Sequence, residues 1–269
     1  MIEGVHFDHR LHPSDVGWKL VAVNVSDIAA MGCLPDWALL TIAIPEPVDL
    51  NFVEQFSAGL HAALKQWNVR LVGGDTTRSP GPKALSLTLA SAPRNHPPLT
   101  RCGANHGDEV WVTGTLGDAA AGFLHNNPMG LKWLRRPVPP IEFAQALPGL
   151  ATAAMDISDG LATDMPRLCK ASGVGACINP HALPRSKALE EMADPISLQM
   201  AFGEDYQLLF CANPMQHNSI KAAGNHFNTR VTCIGKITQD EQLTLSSGPW
   251  PTPLFSHFQH ANDRGDVDP

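Results

Sequence analysis

The sequence is short of positive charge: 19 Lys and Arg stand against 26 Asp and Glu, a formal net charge of −7. That balance excludes a nucleic-acid-binding face, which needs a cationic stripe to displace counterions. The basic run "KWLRRP" (132–137) is too short to provide one. Long apolar runs are also missing. None approaches the roughly 18 residues that span a bilayer, and no cleavable hydrophobic leader comes first, so no membrane partner is expected. The six cysteines (Cys33, Cys102, Cys169, Cys177, Cys211 and Cys233) form no C-x-x-C pair. They read as reduced thiols in a cytoplasmic protein. Two phosphate-binding signatures are absent as well. "IGKIT" (234–238) lacks the upstream glycine of G-x-x-x-x-G-K-[ST], and no G-x-G-x-x-G opens a helix.

What is present is an alternation of strand and helix patterns, enough chain at 269 residues and 43% hydrophobic content for two domains with real cores. "WKLVAVNV" (18–25), apolar and β-branched, reads as a strand, and "SDIAAMG" as a helical turn ending at Gly32 with Pro35 beyond. Phe52, Phe56, Leu60 and Leu64 mark one face of a helix over 52–67. "VRLVGG" (69–74) predicts a short buried strand and "ALSLTLA" (84–90) a half-buried one. The aperiodic, proline-containing stretch 92–108 is where the domains divide. Beyond it, strands are expected at 109–114, 152–157, 206–212 and 230–237, with helices at 116–124 and from Leu161 to Gly173. The domains are set at 1–97 and 98–258, and the polar tail 259–269 reads as disordered. This order indicates α/β layers.

Three apolar runs, "VAVNVSD", "VRLVGGD" and "AAMDISD", each lead into an acidic residue: Asp27, Asp75, and the pair Asp156 and Asp159. Residues past strand ends in α/β sheets face the ligand crevice, so the four carboxylates are expected to converge on one cleft. Each alone could simply cap a helix. Carboxylates gathered without a partner repel one another, and a divalent cation removes that cost. An all-oxygen ligand set favours Mg²⁺ or Mn²⁺ over Zn²⁺, and Mg²⁺ shares its remaining positions with water and phosphate. The cleft therefore points to a polyphosphate ligand such as a nucleotide. "DISDG" also fits x-S-x-G, but Asp156 stands where a serine-hydrolase elbow needs glycine, and its charge would oppose an oxyanion. "GTLGDAAAG" (114–122) could lay N–H groups against phosphate, although such a segment is more often a plain strand-to-helix turn.

Seven segments, in this order, carry a resemblance: "EGVHFD" (3–8), "AVNVSDIAAMGCLPDWALL" (22–40), "LVGGDTTRSPG" (71–81), "RCGANHGDEVWVTGTLGDAAAG" (101–122), "DISDGLATD" (156–164), "GEDYQLLF" (203–210) and "LFSHF" (254–258). The chain resembles the thiamine-monophosphate kinase family, within the wider group of aminoimidazole ribonucleotide synthetase-like proteins. The resemblance implies two α/β domains, a homodimer, and ATP-dependent phosphorylation of thiamine monophosphate by direct in-line transfer, with no covalent nucleophile. It also implies roles for residues: Asp27, Asp75, Asp156 and Asp159 as Mg²⁺ ligands; Gly74, Asp75, Arg101 and Ser158 toward ATP; His6, Glu204 and Phe255 toward thiamine monophosphate. The family carries a G-D-D-A-A-like segment and a further aspartate ahead of "EGVHF", whereas this sequence starts at Met1 inside that region. A catalytically weak nucleotide-binding remnant, for want of that metal-binding segment, or another ATP-using member of the group, is the alternative expectation. Pro140, Ala144 and Phe202 stand where the family usually has arginine, glycine and glycine.

Overall fold

The computed structural model describes residues 1–92 and 95–254. The first part of the chain comprises helix α1 (Pro13–Ala30), strand β1 (Pro35–Ile44), helix α2 (Leu50–Gln66) and strands β2 (Arg70–Arg78) and β3 (Ala84–Ser91). The strands form a three-stranded sheet in the order β2-β1-β3, with β2 parallel and β3 antiparallel to β1.

The run 18–25 is not a strand but the middle of α1. Pro13 presets the backbone at the helix start and the His12 ring accepts from the Ser14 N–H at 3.3 Å. The helix packs against α2 and β3 on one side and against strands of the second domain on the other. Burial nearly all round explains its continuous apolar run, which periodicity cannot separate from a buried strand. Met31 and Gly32, the latter at φ +68°, end the helix where the sequence expects.

The expected helix over 52–67 is α2. Asp49 caps it through a 3.0 Å bond from the Phe52 N–H, and Phe52, Phe56, Leu60 and Leu64 are buried. Strand β2 falls where a strand is expected, but it is exposed along its whole length instead of buried. It sits at the sheet edge and leaves Leu71, Val72 and neighbouring Leu39 open to solvent.

The second part contains strand β4 (Glu109–Thr113), helices α3 (Asp118–His125), α4 (Pro128–Arg135) and α5 (Ile141–Ala144), strand β5 (Ala153–Ile157), helix α6 (Leu161–Ser172), strand β6 (Gly175–Ile178), helices α7 (Lys187–Glu190) and α8 (Pro195–Ala201), strand β7 (Gln207–Ala212), helix α9 (His217–His226) and strands β8 (Val231–Thr238) and β9 (Leu243–Leu245). These strands build one six-stranded sheet, β5-β7-β4-β8-β6-β9, antiparallel except where β6 meets β9.

Alternation along its central strands sends side chains to two cores. Trp111, Ala154, Leu208 and Phe210 join α1 and α2 in one core. Val110, Val112, Met155, Ile157, Leu209 and Cys211 join Leu161, Met165 and Leu168 of α6 in the other. Both faces are covered, which is why these strands read as unbroken apolar runs. The same parity puts Asp156 on the face that Ala154 shares with α1.

Candidate functional site: an acidic cleft between the two domains

A cleft of about 390 Å³ opens between α1, the N-terminal segment before it, and the loops that follow β5 and precede β7. Its polar lining includes His6, Asp27, Asp156, Ser158, Asp159 and Glu204, and its apolar wall includes Phe7, Val23, Phe123, Leu134 and Phe202.

Asp156 sits at the penultimate position of β5, buried, and accepts a 2.8 Å hydrogen bond from the Ser26 hydroxyl of α1. Burial, then the charge of Asp27, pushes its pKa up to about 7, only partly offset by Ser26. Asp27 lies in the last turn of α1, and burial raises its pKa as well, while Arg101 pulls it back. The two acids thus line one cleft from different domains at a cost set mainly by burial, the pattern found where carboxylates serve a site. The expectation that each acid lies in a turn past a strand holds only for Asp159. Asp27 is helical, and Asp75 and Asp156 lie inside strands.

The turn that carries Ser158 and Asp159 is built by Asp164. Its buried carboxylate accepts the N–H groups of both residues at 3.0 Å, and burial pushes its pKa up to about 6. Of the acids in "DISDGLATD", Asp164 therefore serves the turn, which leaves Asp156 and Asp159 to line the cleft. Asp159 also pairs with Arg167 at the cleft edge.

Residues 203–206 stack on this turn. The Glu204 N–H donates to Ser158 O and the Tyr206 N–H to Ile157 O, each at 2.9 Å, and a Cβ on Gly203 would fall 2.0 Å from Ser158 O. Glu204 and Tyr206 both adopt positive φ, +72° and +49°, unusual for residues with side chains. Between them Asp205 turns away from the cleft and accepts the Gly117 N–H at 2.9 and 3.1 Å. Its burial raises its pKa well above the usual range. Asp205 so anchors the loop to the glycine turn ahead of α3, and that turn takes up this carboxylate.

Asp75 does not join the other three acids. It lies on exposed β2, outside the cleft lining, in register with Thr41. Gly74 beside it answers a packing need, because a Cβ there would lie 1.9 Å from Leu40 O of β1. Arg101 is exposed and outside the cleft lining, and its charge acts on Asp27. His6 lines the cleft and its Nδ1 accepts the Ile2 N–H at 3.0 Å. Phe255 lies outside the described residues. Among the described residues no group of three His, Cys, Asp or Glu side chains is arranged to hold a metal ion unaided. No helix among them is long and apolar enough to cross a membrane.

Sequence reasoning missed Ser26, Lys19 and Asp205. Lys19 is buried in the cleft wall and paired with Glu204. Its signal was available, since one lysine interrupts the apolar run of α1.

Two α/β units meeting at an acidic cleft define the class, and the family models agree: AIR synthase related protein, N-terminal domain, matches residues 1–92, and the C-terminal domain of the same family matches residues 105–247. Thiamine-monophosphate kinase of Escherichia coli (strain K12) is 38% identical over 277 residues, covering 96% of this chain and 84% of that protein. The crystal structure of thiamine-monophosphate kinase from Stenotrophomonas maltophilia K279a superposes with a TM-score of 0.84 at 33% identity, covering 91% of this chain and 83% of that one. AaThiL complexed with AMPPCP and TMP gives 0.83 at 32% identity, covering 94% and 83%. The chain belongs to the thiamine-monophosphate kinase family.

Proposed function

We propose that the chain transfers the γ-phosphoryl group of ATP to thiamine monophosphate, forming thiamine diphosphate and ADP in the inter-domain cleft. The observation that carries this reading is the inter-domain cleft itself, lined by Asp27 of the first domain and Asp156 and Asp159 of the second, with burial raising the pKa of Asp27 and Asp156. Similarity to a structure holding AMPPCP and TMP supports the choice of ligands.

The donor set fits Mg²⁺: Asp27, Asp156 and Asp159, with the Ser158 hydroxyl nearby, are all hard oxygen donors, and Mg²⁺ needs only one or two carboxylates when phosphate and water complete its shell. When bound, the ion would screen the charge of two phosphorylated reactants. The chain's own residues do the rest. Asp164 fixes the turn so that Ser158 and Asp159 face the phosphates, and the Asp205 anchor fixes the loop so that Glu204 faces the acceptor. The phosphate oxygen of the acceptor is already a nucleophile at neutral pH, so alignment suffices and no general base or covalent intermediate is required. Glu204 meets the cationic heterocycle or its amine, with His6 beside it. Gly74, Asp75, Arg101 and Phe255 enter this reading on the family resemblance alone.

A homodimer fits the open face of the first sheet, where a second copy would cover Leu39, Leu71 and Val72 and satisfy the free edge of β2. Work in the cytoplasm, where ATP is abundant, suits the reduced cysteines.

Thiamine diphosphate formation from ATP, Mg²⁺ and thiamine monophosphate tests the function, alongside calorimetric binding of each ligand. Saturable binding of both, with product formation, is the expected result. Failure of both ligands to bind would overturn the proposal.

A further inference from the structure

We infer that Lys19 is a positioning residue for the acceptor, reaching from α1 across the domain boundary to hold Glu204 in the orientation that meets the cationic part of thiamine monophosphate. The inference deepens the function proposed above and rests on it.

Lysine is almost never fully buried unless paired, and Lys19 is 3% exposed. Its ammonium forms an ion pair with the Glu204 carboxylate, whose Oε2 also accepts the Tyr206 hydroxyl at 3.3 Å. An apolar side chain of the same length would fill the site in α1 without the cost of desolvating a charge. Packing alone therefore does not account for a lysine here. What the ion pair adds is direction. The backbone at Glu204 is in the left-handed region, which persists only where its surroundings over-determine it. The backbone bonds to Ile157 and Ser158 fix the loop, and the Lys19 and Tyr206 contacts fix the side chain. The Glu204 side chain keeps 27% of its surface exposed, and the residue lines the cleft while its carboxylate is tied down. Because Lys19 belongs to the first domain and Glu204 to the second, the acceptor site is complete only when the domains are docked. The Ser26–Asp156 bond makes the same crossing at the nucleotide end.

A direct role for the Lys19 ammonium on a nucleotide phosphate is the competing possibility, since the same cleft holds both ligands. The two are separated by measuring dissociation constants for thiamine monophosphate and for Mg·AMPPCP on the full chain with Lys19→Met, Lys19→Arg, Glu204→Gln and the Lys19→Met/Glu204→Gln double variant. Loss of one partner of a buried charge pair is expected to weaken thiamine monophosphate by about tenfold or more, with Mg·AMPPCP within about twofold of wild type. Lys19→Arg recovers part of the loss, and the double variant binds no worse than Glu204→Gln alone. Equal weakening of both ligands, a larger effect on Mg·AMPPCP, or additive losses in the double variant would overturn the inference. If Lys19→Met does not fold, Lys19→Gln reads the same split, because it removes the charge from the pair and keeps a polar group at the site. Wild-type protein that does not bind thiamine monophosphate would sink the proposed function and this role together. Wild-type protein that binds it, with an unaffected Lys19→Met, would sink the Lys19 role alone.

Discussion

The two sheets solve opposite problems. The second sheet is covered on both faces, by α1 and α2 on one side and α6 on the other, and β4, β5 and β7 are buried almost throughout. The first sheet has three strands, and its edge strand β2 is exposed from end to end. One sheet is a core and the other presents a surface. The cleft lies where α1, borrowed from the first domain, closes over the second sheet, so the site inherits its rigidity from the buried sheet.

That contrast predicts a gradient of mutational cost. The largest loss of stability is expected at Trp111, fully buried in β4 and stacked near Phe210 with ring centroids 6.3 Å apart. Trp111→Ala should cost about 3–5 kcal/mol in urea unfolding. A loss under about 1 kcal/mol would mean the two domains do not share a core through this sheet.

At the cleft, Asp156→Asn should lower turnover by about 100-fold or more, because under the proposed function it would remove a ligand of the Mg²⁺ that offsets the phosphate charge. The same change should stabilise the metal-free fold at neutral pH and above. The sign follows from the raised pKa: an acid shifted from 3.8 to about 7 by folding is protonated in the folded state and ionised in the unfolded state between those values. Stability from this group is full below pH 3.8 and is lost as pH rises through about 7. Thermal melts in chelator from pH 5 to 8 should fall more steeply for wild type than for Asp156→Asn. Parallel curves would show that Asp156 carries no buried-charge cost.

The smallest effect on stability is expected on β2. Leu71→Ala, at a position 44% exposed, should change unfolding free energy by no more than about 0.5 kcal/mol. Leu71→Glu with Val72→Glu should shift sedimentation toward monomer if a second copy covers that face. An unchanged oligomeric state would show that no second copy covers this face.

Legibility in the sequence follows the same division. Strands β4, β5, β7 and β8 and helices α2, α3 and α6 are readable because local pattern and final environment agree: apolar runs bounded by turns, or one apolar stripe. Helix α1 is misread because burial all round erases helical periodicity, and β1 is missed because "PDWALLTIAI" lies between stronger signals and shows only weak alternation. Strand β2 has the composition of a buried strand, and nothing local reveals that its partner surface is open. At the site, "DISDG" and "GEDY" carry Asp156, Asp159 and Glu204, all three of which line the cleft. The division of labour inside them, Asp164 to the turn and Asp205 to the glycine loop, depends on contacts made only after folding. Asp75 looks like its counterparts in sequence yet stands apart, since a shared pattern does not fix where a strand sits in its sheet.

The central proposal is that Asp27 and Asp156, lining one cleft, would hold nucleotide phosphates there through Mg²⁺. Calorimetric titration of Mg·AMPPCP into wild type, Asp156→Asn and Leu71→Ala tests it most directly. The account predicts saturable binding to wild type and to Leu71→Ala, and none measurable to Asp156→Asn, whose melting temperature in chelator at pH 8 stays at or above that of wild type. Equal binding by a folded Asp156→Asn would contradict the assignment of the nucleotide to this cleft.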